Sequence, residues 1–179
     1  MKILNNLSDV SKNPKAVTIG NFDGMHKGHQ TLINETKEVS NKNNVESLIF
    51  TFNKLPKEIF SPNAVQRLYD NKIKESILSS YKVDTLLSID FIEIKDYSAD
   101  FFCEEILIKK LNTRYLIIGE NFKFGKDRSG DIEKLREYDS KNAFELMVPE
   151  LETYDGIKIS SSRIRNYSIK VTLLEQESV

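Results

Sequence analysis

The sequence predicts an α/β fold with a doubly wound, mostly parallel sheet of five strands. Short apolar runs rich in β-branched residues recur along the chain, and amphipathic segments of helical period separate them. Polar stretches containing glycine directly follow two of the apolar runs. Such alternation implies right-handed crossovers, which place helices on both faces of a parallel sheet.

The predicted strands are the buried runs at 16–20, 45–52, 83–89, 114–119 and 143–148. Two amphipathic helices are predicted from apolar residues that share one face. The first follows Gly28, and its face comprises Leu32, Ile33, Thr36 and Val39. The second lies between the second and third strands, and its face comprises Val65, Leu68, Tyr69, Ile73 and Ile77.

Two further helices are predicted from residues that cap helix N-termini. Ser98 begins the third helix, and Asp131 begins a short fourth one. The residues of the third helix expected to face the sheet are Phe101, Phe102, Ile106 and Leu111.

Composition limits the classes of protein to consider. A chain of 179 residues that is 39% hydrophobic suits one domain, 1–179. The net charge of −1 gives no general attraction to nucleic acid or to an anionic membrane, so we expect neither as a partner. Cys103 is the single cysteine, and no apolar run approaches a membrane span, so we expect a cytoplasmic protein. The oligomeric state stays open.

Three polar stretches are candidates for ligand binding, because ligands of such sheets bind beyond the carboxyl ends of the strands, near the point where strand order reverses. "NFDGMHKGHQ" (21–30) follows the first predicted strand, and "ENFKFGKDRSGD" (120–131) follows the fourth. "KISSSRIR" (158–165) comes after the fifth strand and a polar turn. We expect the three stretches to share one cleft.

The first stretch holds both histidines of the chain, His26 and His29, beside Gly24 and Gly28. Gly24 permits a sharp turn or a close approach to a ligand. The start of a helix already favours an anion, and two imidazoles would add donors for phosphate oxygens. Alternatively, the histidines are surface polar residues or a metal site. A zinc site is the weaker alternative, since no third histidine exists to complete it.

The last stretch combines serines with arginines. Ser160, Ser161 and Ser162 precede Arg163 and Arg165. Serine hydroxyls and free N–H groups at a helix start bind anions, and arginine offers a planar fork for phosphate. On its own, a stretch of this kind is more often an ordinary helix cap followed by solvated arginines than an anion site. Together with the histidine pair, it indicates a triphosphate ligand.

The middle stretch places aromatic and basic residues in a loop with flanking glycines. Phe122 and Phe124 could stack on a planar ligand, while Lys126 and Arg128 could close over phosphates as a mobile lid. In the alternative interpretation, the phenylalanines are packing residues that anchor the loop.

The three stretches together resemble bacterial FAD synthetases, a branch of the nucleotidyltransferase superfamily with a Rossmann-like fold. "GNFDGMHKGH" is similar to the family's G-x-F-D-G-x-H-x-G-H, and "GENFKFGKDRSGD" is similar to its G-x-(D/N)-F-x-F-G-x-x-R-x-G-D. "ISSSRIR" resembles its I-S-S-T-x-I-R. The motifs occur in the family's order and span about residues 16–165.

The resemblance implies that the chain transfers the adenylyl group of ATP to FMN, giving FAD and pyrophosphate, with Mg²⁺ arriving on ATP. It implies His26, His29 and Arg165 as catalytic residues. The implied ATP-binding residues are Gly20, Asn21, Phe22, Asp23, Gly24, His26, Gly28, His29, Asn121, Lys126, Arg128, Ser161, Ser162 and Arg165. Asn121, Phe60 and Phe124 are implied for FMN. Asp23 is expected to shape the turn rather than to bind metal, and no metal-binding residue is assigned.

Two departures from the family pattern bear on activity. Where the family has F-x-P-x-P, this chain reads "FNKLP", with Lys54 for the first proline and Leu55 in place of a histidine. After Arg165, the residues 166–179 form a short divergent tail, so we expect no riboflavin kinase activity. A related nucleotidyltransferase for another phosphorylated substrate, such as a cytidylyltransferase, and a non-catalytic flavin- or nucleotide-binding module remain alternatives.

Overall fold

A computed structural model describes residues 1–54, 58, 68, 70–150, 153–154 and 157–158. Six strands form one sheet in the order β1-β4-β3-β2-β5-β6, and every neighbouring pair is parallel. The strands are β1 (Lys2–Leu4), β2 (Lys15–Ile19), β3 (Glu46–Phe52), β4 (Thr85–Ile89), β5 (Thr113–Ile117) and β6 (Glu145–Met147). A separate antiparallel pair joins β7 (Thr153–Tyr154) to β8 (Ile157–Lys158).

The described helices connect successive strands of the sheet. They are α1 (Lys27–Asn43), α2 (Asn71–Ser80), α3, which begins as an α-helix over Ala99–Phe101 and continues with wider π-helical turns over Phe102–Lys110, and α4 (Ile132–Ser140). No described helix is long and apolar enough to cross a lipid bilayer.

Both faces of the sheet are covered, which confirms the predicted doubly wound α/β architecture. On one face, Val17 and Ile19 of β2 pack in a core with residues of α3 and α4. On the other face, Ala16 packs with Leu32 and Val39 of α1, and a neighbouring cluster adds residues of α2. All five residues of β2 and of β4 are buried, as expected for parallel strands between two helical layers.

The predicted number of strands was wrong, because the sheet has six strands rather than five. All five predicted runs form strands, with ends that differ by one or two residues. The additional strand, β1, is a three-residue edge strand that pairs only with β4 and leaves Ile3 exposed. Its short length and mixed composition give no periodic pattern, and its pairing with β4 depends on residues far away in the sequence.

The two predicted helix caps, Ser98 and Asp131, are confirmed. The Ser98 hydroxyl accepts a hydrogen bond from the Phe101 N–H at 3.1 Å, and the Asp131 carboxylate accepts one from the Lys134 N–H at 3.1 Å. The first helix begins at Lys27 and buries the predicted face. In α3, Phe102 and Ile106 face the core, but Phe101 is 45% exposed, so its predicted position was wrong.

The predicted face of the second helix was wrong in part, since Ile77 packs against the core but Ile73 does not. Asp70 caps α2 by accepting a hydrogen bond from the Ile73 N–H at 2.8 Å, so the helix begins later than predicted, and Leu68 lies outside it. Ile73 is 48% exposed, whereas Lys74 is buried. Val65 and Tyr69 lie outside the described residues.

Candidate active site

The candidate site lies where the order of strands reverses. From β2, the chain proceeds outward through β3 to β4, and then returns to place β5 on the opposite side of β2. The carboxyl ends of β2 and β5 are therefore adjacent, and the stretches 21–30 and 120–131 leave the sheet at this point. This placement agrees with the expectation drawn from the topology of parallel sheets.

The segment 20–26, which we call the histidine loop, connects β2 to α1. Its backbone has positive φ at Phe22 (48°), Gly24 (81°) and Met25 (34°), conformations that cost free energy at residues other than glycine. Burial of two side chains offsets this cost, because Phe22 and Met25 pack with Ile33 of α1. The surrounding core therefore holds the loop in its shape.

Asp23 is buried at the centre of the loop, with 3% of its surface exposed. Its carboxylate accepts a hydrogen bond from the Leu68 N–H at 3.0 Å. The side chains of Phe22 and Asp23 are thus enclosed by protein, so any contact that these residues make with ATP would involve their backbone.

The two histidines lie against each other at the start of α1. Their rings stack with centroids 3.7 Å apart and an angle of 22° between the planes. The ring of His29 also packs on Phe22, at 5.2 Å between centroids. Gly28, between the histidines, is buried, and the backbone N–H of His29 donates to the His26 carbonyl at 2.9 Å. Helix formation thus fixes the spacing of the two imidazoles.

Each imidazole has a buried nitrogen without a hydrogen-bond partner in the described part of the chain. Nδ1 of His26 and Nδ1 of His29 are buried, and neither forms a hydrogen bond with the residues that the structure describes. Buried polar atoms are nearly always paired in folded proteins, and exceptions commonly mark a site that a ligand completes. The N-terminus of α1 beside them supplies a dipole that favours an anion.

Burial also sets the charge of the pair. Burial lowers the pKa of His26, and burial together with repulsion from His26 lowers the pKa of His29 to about 3. Both rings are therefore neutral at physiological pH before a ligand binds. A polyanion next to them would raise both pKa values, because an opposite charge favours the protonated form.

In the described part of the chain, no group of three or more His, Cys, Asp or Glu residues could hold a metal ion. The metal-site alternative therefore lacks a complete set of ligands there. The helix N-terminus favours an anion over a cation, and an imidazole N–H could donate to the triphosphate that the sequence indicates.

The second stretch forms a closed loop beyond β5. Phe124 and Gly130 exchange two backbone hydrogen bonds, of 3.0 and 2.9 Å, which join the two ends of the loop. The Lys126 N–H donates to the Tyr97 carbonyl at 2.7 Å. Gly125 has a φ of 72°, and a Cβ at this position would lie 2.9 Å from the backbone of Ala99, so glycine is required here.

The polar residues predicted for this loop are available to a ligand. Asn121, Lys126 and Arg128 are all exposed. The Asn121 amide forms a 3.4 Å hydrogen bond with the neighbouring Glu120 carboxylate.

Phe124 packs inside the protein, in agreement with the alternative interpretation of the loop. It is 7% exposed and lies against Phe102 and Phe122, at 5.4 and 5.6 Å between ring centroids. Phe122 covers it from the outside and is only half-buried. A contact of Phe124 with flavin would thus be limited to the small exposed part of the ring, and it stays a prediction.

Several predicted site residues lie outside the described residues, so their relation to the histidine loop stays a prediction. They are Phe60, Ser161, Ser162 and Arg165. Leu55, which stands in place of the family's histidine, is outside them as well, whereas Lys54 is described and exposed.

Sequence reasoning missed a polar network at the carboxyl end of β3. Lys74 donates to the Phe52 carbonyl at 2.7 Å and to Thr51 Oγ1 at 3.3 Å, while Ser88 of β4 donates to the Asn53 side chain at 2.6 Å. One signal was present in the sequence. Asp70 is a good N-cap residue, and a helix that starts after it places Lys74 on the same face as Leu78.

Comparison with known families gives a decisive match. Residues 8–163 match the model of the FAD synthetase family, which covers most of the chain. The chain belongs to the FAD synthetase family. The reversal of strand order and the histidine loop lie within the matched residues, so the resemblance noted in the motifs is confirmed.

Curated relatives in the FAD synthetase family are described as bifunctional riboflavin kinase/FMN adenylyltransferases. The relative from Buchnera aphidicola subsp. Schizaphis graminum is 38% identical over 165 residues, which cover 90% of this chain and 53% of the relative. The relative from Escherichia coli K12 is 30% identical, over 92% of this chain and 54% of the relative. The chain thus spans about half the length of these relatives.

Solved structures agree with the fold. A crystal structure described as a macrolide-efflux protein from Streptococcus pneumoniae superimposes with a TM-score of 0.76 at 28% identity, over 92% of this chain and 54% of that one. A pantothenate synthetase from Thermus thermophilus gives a TM-score of 0.57 at 15% identity, over 92% of this chain and 67% of that one. The second likeness concerns the fold alone.

Proposed function

We propose that this chain is an FMN adenylyltransferase, which converts FMN and ATP to FAD and pyrophosphate. The observation that carries the proposal is the pair of stacked imidazoles with orphaned Nδ1 atoms at the start of α1, where strand order reverses in a member of the FAD synthetase family. A buried, unpaired donor site of this kind suits the phosphates of a nucleotide.

In the proposed reaction, an oxygen of the FMN phosphate attacks the α-phosphorus of ATP. The new P–O bond forms as the bond from the α-phosphorus to the β-phosphate oxygen breaks, and pyrophosphate leaves with that electron pair. A phosphate monoester has a second pKa near 6 and is largely ionised at neutral pH, so no strong general base is required. Catalysis then consists of positioning the reactants and neutralising the charge that develops between them.

The histidines would supply that neutralisation. A neutral imidazole donates one hydrogen bond, and a protonated imidazole donates two. As charge accumulates around the α-phosphorus, His26 and His29 would gain stronger, charge-assisted hydrogen bonds to its oxygens and to the leaving group. Only interactions that are stronger in the transition state than in the ground state accelerate a reaction. Because the imidazoles are neutral before ATP binds, their hydrogen bonds can become stronger as the transition state forms.

The remaining predicted residues would complete the site. Asn121 would lie between ATP and the FMN phosphate, and Lys126 and Arg128 would approach the phosphates from the closed loop. Ser161, Ser162 and Arg165 would hold the β and γ phosphates. Mg²⁺ would enter as the ATP complex, bound mainly by phosphate oxygens and water, as is usual for this ion.

The test incubates the chain with FMN, ATP and Mg²⁺, separates the flavins by chromatography and measures pyrophosphate. We expect FAD and pyrophosphate in equal amounts from FMN. Riboflavin as a parallel substrate should give no product, because it lacks the phosphate that attacks ATP. CTP in place of ATP should not support the reaction.

Two outcomes would contradict the proposal. Binding of FMN or ATP with no release of pyrophosphate would instead support a non-catalytic binding module. Release of pyrophosphate from CTP with a small phosphorylated alcohol, and none with FMN, would identify a related transferase with another substrate.

A further inference from the structure

Lys74 is a buried lysine behind the histidine loop, and the proposed chemistry assigns it no role. It lies in α2 with 5% of its surface exposed, two residues from the exposed Lys72. Burying an ammonium group costs free energy unless the group is hydrogen-bonded. Its Nζ donates to the Phe52 carbonyl at 2.7 Å and to Thr51 Oγ1 at 3.3 Å, both at the carboxyl end of β3.

The hydrogen bonds from Lys74 continue to the histidine loop in a fixed direction. An ammonium group can only donate, and a hydroxyl group has a single proton to donate. Since Thr51 Oγ1 accepts from Lys74, its proton is free for the Asn21 carbonyl, which lies 3.3 Å away. Thr51 is completely buried, so water does not compete for this hydroxyl.

The Asn21 carbonyl is a sensitive point of the loop. Its peptide group leads directly to Phe22, which has a positive φ of 48° and whose ring packs on His29. Because a peptide group is planar, holding its carbonyl also fixes the orientation of the Phe22 N–H. A rotation of this peptide would therefore displace the Phe22 ring, on which His29 packs, and with it the stacked pair of imidazoles.

A second buried contact ties the same loop to the same part of the chain. The Asp23 carboxylate accepts from the Leu68 N–H at 3.0 Å, a short distance before α2. The histidine loop is thus attached at Asn21 to Thr51 of β3, through which it reaches Lys74 of α2, and at Asp23 to Leu68. Its conformation depends on these attachments, because the positive φ values of Phe22 and Met25 are unfavourable without them.

We propose that Lys74, acting through Thr51, is a positioning residue that fixes the histidine loop for reaction at the polyphosphate. Lys74 itself does not touch the substrate in this proposal. Its consequences for turnover rest on the proposed adenylyl transfer, whereas its effect on the two histidines is a property of the free protein.

The kinetic test compares Lys74→Met and Thr51→Val with the matched control Lys72→Met, which makes the same substitution on the exposed side of α2. We expect kcat for FAD formation to fall about tenfold or more in the first two variants, because small displacements of reacting groups are costly. The KM for ATP should change less than kcat. Lys72→Met should stay within about twofold of the parent.

The double variant tests whether the two residues act together. If Lys74 works through Thr51, combining the substitutions should lower kcat by no more than about the larger single effect, since both remove one connection. Multiplied losses would show independent roles and would overturn the relay.

A spectroscopic test separates this inference from the proposed activity. The chain has two histidines, so imidazole signals in proton–carbon NMR spectra come from His26 and His29 alone. We expect these signals to shift in Lys74→Met and Thr51→Val, and to stay unchanged in Lys72→Met. Thr51→Val keeps the charge constant, so its shift reports position rather than electrostatics.

Folded variants with parental kcat and parental imidazole signals would overturn the inference. If Lys74→Met does not fold, Thr51→Val still decides it, because valine closely matches the shape of threonine. If even the parent makes no FAD, the proposed function fails, while the imidazole signals still show whether Lys74 positions the loop.

Discussion

The two ends of the sheet bury polar groups in different ways. At the amino end, Lys15 Nζ donates to the carbonyls of Ser11 and Asn13, at 2.6 and 2.5 Å, and lies 3.7 Å from the Glu46 carboxylate. At the carboxyl end, two imidazoles keep Nδ1 atoms that no described residue pairs. The buried ammonium at the amino end thus has partners within the protein, although Thr113 Oγ1 nearby has none among the described residues, whereas the unpaired imidazole nitrogens at the carboxyl end lie in the candidate site.

The charged groups at the amino end support one another. Burial alone would raise the pKa of Glu46, but hydrogen bonds from Ser11 and Asn13 and the charge of Lys15 lower it. Asp84 accepts hydrogen bonds from the backbone and hydroxyl of Ser47, at 2.8 and 2.6 Å. A satisfied network of this kind contributes to stability, whereas an unsatisfied one indicates binding.

The largest expected effect is on turnover, at the carboxyl end. His29→Ala should lower kcat on the order of 10²–10³-fold, the usual loss when one preorganised transition-state donor is removed. Pyrophosphate release with FMN and ATP measures it, and denaturant unfolding checks that the variant is folded. Asn34→Ala, at an exposed position of the same helix, is the control and should retain parental turnover. Unchanged FAD formation by His29→Ala would exclude the catalytic role.

The amino end should show the opposite response. Lys15→Met removes a buried ammonium and leaves two carbonyls and Glu46 without their partner, so we expect a loss of about 2–3 kcal/mol in the free energy of unfolding. Urea unfolding measures the loss, and Lys12→Met, at an exposed position nearby, should change stability little. Turnover per folded molecule should stay near the parental value. A large loss of kcat in folded Lys15→Met would contradict a purely stabilising role for the amino end of the sheet.

The smallest effect is the pH dependence of stability. The folded-state pKa of His29 is about 3, below its unfolded value of about 6.5, so the unfolded state binds more protons between these values. Stability from this group is therefore complete above about pH 6.5 and falls as pH is lowered towards about 3.

Between about pH 7.5 and pH 6, His29 should contribute a loss of roughly 0.8 kcal/mol. His29→Gln should remove this part of the slope, as measured by urea unfolding at both pH values. Equal slopes for the parent and the variant would show that the folded state does not depress the pKa of His29.

Much of the fold could be predicted because it depends on local signals. The apolar runs of β2 to β6 identify themselves, and Ser98 and Asp131 have the chemistry of helix caps. β1 has no such signal, since its three residues form a strand only by pairing with β4. The buried face of α2 was in part predicted incorrectly, because the helix begins after the N-cap residue Asp70. Lys74 therefore occupies the buried position that was predicted for Ile73.

The candidate site likewise has features that the local sequence predicts and features that depend on tertiary contacts. The spacing of His26 and His29 and their place after β2 were visible in the sequence. The stacking of the rings, the burial of their nitrogens and the relay through Thr51 were not, because they arise from contacts between β3, α2 and the histidine loop. Phe124 illustrates the same limit, since only packing shows that Phe102 and Phe122 enclose it.

Under the proposed function, the stacked imidazoles are uncharged before ATP binds. Because both rings are neutral, the pair attracts distant anions only weakly. Each ring that becomes protonated when ATP binds would take its proton from the surrounding buffer. The positive charge that favours a polyanion would thus develop only when the polyanion binds. The heat of nucleotide association would then vary with the ionisation enthalpy of the buffer.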